Sequence, residues 1–193
     1  MTPEEFRDLF PALRSTVWLD TPGSPPGAGP VVDALRDTMS AWSSGEFDWR
    51  MWDSAAEDAR QLFARFIGAE PGTVSAVGSL AEAAATVAGS LPRGRVVVAE
   101  DDFRSNLFPW LARHDVVAAP GDRLADALDE DTALLAVSEV TTKDGRRRDL
   151  RALRAATDAV GARLFVNLTQ SLGALRFDPL IRPDYLASTP RRT

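Results

Sequence analysis

The chain has 193 residues with 45% hydrophobic and 26% charged content, a net charge of −6 and a pI near 4.9. That size builds a soluble core without staples, and the acidic balance excludes a general nucleic-acid surface, which needs a basic face to displace counterions. Cysteine is absent and His114 is the one histidine, which removes disulfides, thiolate catalysis and a zinc site, so no metal is expected.

Pro3–Leu13 is predicted as a short amphipathic helix, with Phe6, Leu9, Phe10 and Leu13 on one face. Its acidic start is unlike a signal peptide, and no stretch approaches a membrane span, so a cytoplasmic protein without membrane partners is expected. Val17-Trp18-Leu19 reads as a short strand before a loop rich in Pro and Gly, Asp20 to Gly27. Gly29–Trp42 resumes as a helix through Val32, Leu35 and Met39. The loop after it carries Phe47 and Trp49, which line a ligand or dimer contact or plug the top of the core.

Met51–Ile67 is a long helix stopped by Gly68. Thr73–Val77 reads as a strand, and Gly78 turns the chain into a helix whose start, Ser79-Leu80-Ala81-Glu82, has the form of a capping box. A helix beginning straight after a strand and a glycine leaves free amides that suit a phosphate, although most such starts hold no anion. Arg95–Ala99 is a strand followed by Glu100-Asp101-Asp102, then a short helix over Leu107–Trp110. Asp115–Ala119 and Thr132–Ser138 are further strands around a helical Arg123–Leu128, and Glu139 lies at the end of the second. His114 falls beside Arg113 and Asp115, a setting that suits solvent. Asp149–Val160 is an amphipathic helix ended by Gly161.

The segment Arg163–Ala174, RLFVNLTQSLGA, organises the rest. Leu164-Phe165-Val166 reads as a buried strand, and Asn167, Thr169, Gln170 and Ser171 crowd its carboxyl end, where ligands collect in open α/β sheets. The same residues also make an ordinary polar turn that caps the next helix. Alternating strands and helices predict an α/β fold with a largely parallel sheet.

Five segments in register resemble the class V aminotransferases, the fold-type-I pyridoxal phosphate (PLP) enzymes that include cysteine desulfurases and kynureninase-like and isopenicillin-N-epimerase-like proteins. They are VWLDTPGSPP, VGSLAEAAATVA, EDDFRSNLFPW, ALLAVSEV with the following DG and RDLRAL, and FVNLTQSLGAL with RPDYLAS. The resemblance implies a three-layer sheet with helices on both faces. It also implies a single aminotransferase-like large domain over 1–193, with an N-terminal arm and helix over 1–45 and an α/β core over 46–193. It places the cofactor-phosphate cradle at Ser79, Leu80 and Ala81, a ring-stacking aromatic at Phe103, and Asn106 close by. Gln170 matches a glutamine on the cofactor's phenolic oxygen, and Thr189, just after DYLAS, joins the candidate ligand contacts.

Two departures separate the chain from that pattern. Asn167 stands where an aspartate pairs with the pyridinium nitrogen, and a neutral amide does not raise the ring's basicity as an anion does. Aligned on Asp184, the Schiff-base lysine's slot holds Arg192, and the family's later segments do not follow, so the chain reads as truncated. The one lysine, Lys143, lies in the TTKDGRRR loop, which the family pattern leaves remote. No covalently bound cofactor is therefore expected, with PLP held non-covalently as the alternative. Three readings follow. The first is a repurposed enzyme acting on a small amino-acid-derived molecule, with Glu139 and Asn167 catalytic and Glu139 or Asp102 as acid or base. The second is a non-catalytic pseudoenzyme paired as a homodimer, or as a heterodimer with a related chain. The third is a PLP enzyme with a non-covalent cofactor or a lysine lent by a partner chain, and beside these stands an inactive remnant of a shortened gene.

Overall fold

The structure, a computed structural model, describes residues 1–21 and 24–189 and divides into two compact units, Met1–Ala76 and Val77–Thr193. Arg192 therefore lies outside the described residues.

The first unit is helical. The expected Pro3–Leu13 helix is broken into α1 (Pro3–Asp8) and a 3-10 turn over Pro11–Arg14, because Pro11 cannot continue the α-helical ladder. α2 spans Gly29–Ser44 and α3 spans Trp49–Ile67, the latter capped by the Asp48 carboxylate on the Arg50 amide and ended by a left-handed Gly68. Phe47 packs edge-on against Trp52, whereas Trp49 is exposed. Two predicted strands do not form. Val17 and Leu19 are exposed and lie outside any regular element, and 73–77 begins as the end of a 3-10 turn, Pro71–Thr73, and continues without ladder partners. Apolar β-branched runs favour strands only when a neighbouring edge is there to pair with.

The second unit is a five-stranded, wholly parallel sheet. α4 (Leu80–Ser90) leads to β1 (Arg95–Ala99), α5 (Arg104–Leu111), β2 (Asp115–Ala119), β3 (Thr132–Ser138), α6 (Leu150–Val160), β4 (Arg163–Asn167) and β5 (Tyr185–Ala187). The spatial order is β2-β1-β3-β4-β5. The first four strands fall on their predicted residues, since continuous apolar runs are what a doubly covered parallel strand requires. β5 was not predicted. Its three residues, Tyr185-Leu186-Ala187, carry too little pattern on their own and are fixed by pairing with β4. The helical turn expected over Arg123–Leu128 shrinks to a 3-10 turn, Ala125–Ala127.

Strand alternation sorts the core into two layers. Val96, Val98, Leu134, Ala136 and Phe165 face α4 and α5, where the fully buried Trp110 sets its ring edge-on against Phe165 at 5.2 Å. The intervening residues, among them Leu135, Val137, Leu164 and Val166, face the side on which α6 packs, with Leu150 and Leu153 buried. The chain leaves β1 outward to β2 and then returns to place β3 on β1's other flank. Connections running in opposite directions put their helices on opposite faces, and the sheet's switch point lies between β1 and β3.

The sheet's far edge is pinned by Asp184, whose carboxylate accepts from the Leu164 amide at 2.8 Å and from Arg154 at 2.7 Å. Burial works against its charge, but Arg154 and the Leu164 amide outweigh it and hold the carboxyl below its ordinary value of 3.8. The stability it contributes is therefore present above the normal carboxylate range and is lost as pH falls through the depressed value. Asp184→Asn should cost about 1 kcal/mol at neutral pH, a charge-assisted contact discounted for its exposure. Urea melts of the two proteins should converge at acid pH.

Candidate functional site

All five strands point their carboxyl ends the same way, so the segments after them share one edge. At the switch point that edge is bridged by Asp102, a buried carboxylate three residues beyond β1. Its Oδ1 accepts from the Phe103 amide at 2.8 Å and from the Ser138 hydroxyl at 2.5 Å. Its Oδ2 accepts from the Ser138 amide at 2.8 Å and from Asn106 Nδ2 at 3.0 Å. Burying a carboxylate is costly unless such donors replace water.

The network continues along the edge. Asn167, the last residue of β4 and buried, donates from Nδ2 to Ser138 Oγ at 2.8 Å and accepts the Thr169 amide on Oδ1 at 3.0 Å. Thr169 Oγ1 in turn accepts from the Thr189 amide at 3.3 Å, tying in the segment after β5. Asn106 is wholly buried in the first turn of α5, and its carbonyl receives the Trp110 indole N–H at 2.8 Å. Phe103, the residue that caps α5, is 48% exposed at this edge.

The structure thus joins Phe103, Asn106, Asn167 and Thr189 through Asp102, Ser138 and Thr169. Gln170 is bound elsewhere, donating from Nε2 to Thr142 Oγ1 at 3.0 Å. That contact brings the TTKDGRRR loop to Gln170, with exposed Lys143 following the residue that touches it. Ser79, Leu80 and Ala81 open α4. Four residues after its last turn the chain enters β1, so α4 begins at the carboxyl edge, and Leu80 packs in one cluster with Ala187 at the end of β5. Among the described residues no hydrogen bond links this turn to the Asp102 network. The capping box is only half formed, because Ser79 Oγ accepts from the Glu82 amide while Glu82 Oε2 takes the Gly78 amide instead of Ser79's.

Glu139 follows Ser138 directly, so its side chain leaves the opposite face. It is 2% exposed, and its Oε1 receives Arg147 at 2.9 and 3.1 Å, closing the loop between β3 and α6. His114 is buried, not solvated as its charged neighbours suggested, with Nε2 against the Ala88 carbonyl at 2.9 Å. Sequence reasoning missed Thr142 and Ser188. Thr142 carried no signal, and Ser188 follows a strand too short to detect.

The donor set is one buried carboxylate surrounded by neutral amides and hydroxyls, with two buried atoms, Asn106 Oδ1 and Ser188 Oγ, lacking partners among the described residues. Such a set would suit pyridoxal phosphate: Phe103 would offer a face for the ring, Asn167 an amide edge, and the first turn of α4 its amides for the phosphate. The Glu82 carboxylate already takes the Gly78 amide at 2.7 Å, so a phosphate there would have to displace it or share the amides. None of the side chains in the network is an amine.

Removing Arg147 tests the role of Glu139. Arg147→Ala strands a buried carboxylate and should destabilise the chain by about 3 kcal/mol in urea melts, and adding Glu139→Gln should recover more than half of that loss.

The family model for aminotransferase class V matches residues 17–180. The chain is 30% identical over 188 residues to an uncharacterized aminotransferase, YcbU, of Bacillus subtilis, covering 91% of this chain and 51% of that protein. It is 29% identical over 199 residues to a probable cysteine desulfurase of Methanothermobacter thermautotrophicus, covering 92% and 50%. The chain therefore spans about half the length of the curated relatives it matches. Among solved structures, the cysteine desulfurase CsdA of Escherichia coli superposes with a TM-score of 0.83 at 22% identity, over all of this chain and 55% of that one. The lyase C-DES, solved as a mutant with glycine covalently linked to its PLP cofactor, gives 0.81 at 18% identity over 95% and 55%. Likeness at those identities speaks for the fold.

Proposed function

The chain belongs to the class V aminotransferase family, and on that premise we propose that it is a repurposed enzyme acting on a small, amino-acid-derived molecule, with pyridoxal phosphate held at the carboxyl edge without a covalent bond. The observation that carries this reading is the hydrogen-bonded run from Asp102 through Ser138 and Asn167 to Thr189, with exposed Phe103 bound to Asp102 through its backbone amide. A drifting remnant has no reason to keep a buried carboxylate matched by four donors at the switch point.

When bound, pyridoxal phosphate supplies an electron sink for carbanion chemistry, and a neutral amide at its ring nitrogen makes that sink shallower than a carboxylate would. The residues of this chain divide the remaining work. Phe103 covers a ring face and excludes water from it. Asn167 orients the ring edge, and the α4 amides hold the phosphate. Glu139 holds the loop that carries Thr142 against Gln170.

Mixing the full chain with pyridoxal phosphate should give saturable binding by tryptophan fluorescence. Borohydride followed by denaturation should release all of the coenzyme. Phe103→Ala and Asn167→Ala should each weaken binding roughly tenfold, as the loss of a ring contact or a buried hydrogen bond implies. Coenzyme fixed to the Lys143 peptide would overturn the non-covalent reading.

A second reading, a non-catalytic subunit that pairs with another copy or a related chain, is favoured by the exposed apolar stripe of Leu35, Met39 and Trp42 on α2. Sedimentation equilibrium separates the two: a monomer that binds the coenzyme supports the first, and a dimer that binds none supports the second.

A further inference from the structure

A carboxylate offers about four acceptor positions. The four donors on Asp102, namely two backbone amides, the Ser138 hydroxyl and the Asn106 amide, fill them. It has no lone pair left to draw a proton from a bound molecule, so the role of acid or base does not suit it. What it does instead is fix the polarity of its neighbours.

Ser138 has one hydroxyl proton, committed to Asp102 at 2.5 Å, so its oxygen can only accept from Asn167. That places Nδ2 of Asn167 toward Ser138 and Oδ1 away from it. The Thr169 amide, pointing at Oδ1, independently demands the same orientation. Asn167 is left with one N–H uncommitted among the described residues. Asn106 is set in the same way: its Nδ2 must face Asp102, which leaves Oδ1 as a buried acceptor without a partner among the described residues. These two are the only asparagines in the chain, and one carboxylate orients both.

We propose that Asp102 is the positioning residue of this site: through Ser138 it holds Asn167 with an N–H, not a carbonyl, turned to the ligand, so the group seated there is a hydrogen-bond acceptor such as an unprotonated heteroaromatic nitrogen. The choice of ligand rests on the reading given under Proposed function, whereas the relay itself does not. A carboxylate at position 167 would select the protonated ring, and the relay from Asp102 selects the neutral one.

The test labels the full chain with asparagine carrying 15N at the side-chain amide alone, which gives two side-chain amide pairs and nothing else from that residue type. Both pairs should be resolved and slow to exchange in the ligand-free protein. Ser138→Ala should move the Asn167 pair and speed its exchange while leaving the Asn106 pair in place, and Asp102→Asn, which adds a third pair of its own, should move both. If Asp102→Asn does not fold, Ser138→Ala decides alone, and an unmoved Asn167 pair overturns the relay. The ligand arm uses pyridoxal phosphate labelled with 15N in the ring. The wild-type complex should give a neutral-pyridine resonance that becomes pyridinium-like in Asn167→Asp, and Ser138→Ala should bind the coenzyme roughly tenfold more weakly. A pyridinium signal in the wild type overturns the acceptor assignment. If the wild type binds no pyridoxal phosphate, the proposed function fails while the amide spectra still judge the relay.

Discussion

A charged carboxylate buried between two parallel strands is the constraint around which the second unit is arranged. Asp102 lies where the sheet reverses its order of strand addition, the place where the connections on either side diverge and where ligands collect in open α/β sheets. Left alone there, the charge would cost several kcal/mol in lost hydration. Two backbone donors and two side-chain donors offset that cost, and they come from β3 and α5 as well as from its own turn. The same contacts that keep the anion in place start α5 at Phe103 and set the amides of Asn106 and Asn167. Packing beneath is continuous with this polar layer, because Trp110 joins Asn106 to Phe165.

Much of the sheet was legible in the sequence. Val96-Val97-Val98, the 132–138 strand and Leu164-Phe165-Val166 are uninterrupted apolar runs that only a doubly covered strand explains, and Gly68 and Gly161 adopt the left-handed backbone that ends their helices. Where the reading failed, local pattern lacked a tertiary partner. Val17-Trp18-Leu19 and 73–77 have strand-like composition and no edge to pair with, while Tyr185-Leu186-Ala187 has little pattern and pairs with β4.

The site was legible in membership more than in wiring. Asn106, Asn167, Phe103 and Thr189 could be named from their place after strands and from family resemblance, but which amide atom faces which neighbour depends on distances across strands. Residue type also left Glu139 and Asp102 interchangeable as candidate acids. The structure separates them: one is paired with an arginine on the α6 side of the sheet, and the other is surrounded by neutral donors on the α5 side. The proximity of Thr142 to Gln170 is a fact of folding that no spacing rule encodes.

The central claim is that the carboxyl edge around Asp102 is one ligand cleft. A crystal structure of the full chain grown with pyridoxal phosphate tests it most directly. Difference density for the ring between Phe103 and Asn167, with the phosphate at the first turn of α4 and no bond to protein, is the predicted result. Density absent there, with Phe103 closed over Asn167 or the coenzyme seated elsewhere on the chain, would contradict it.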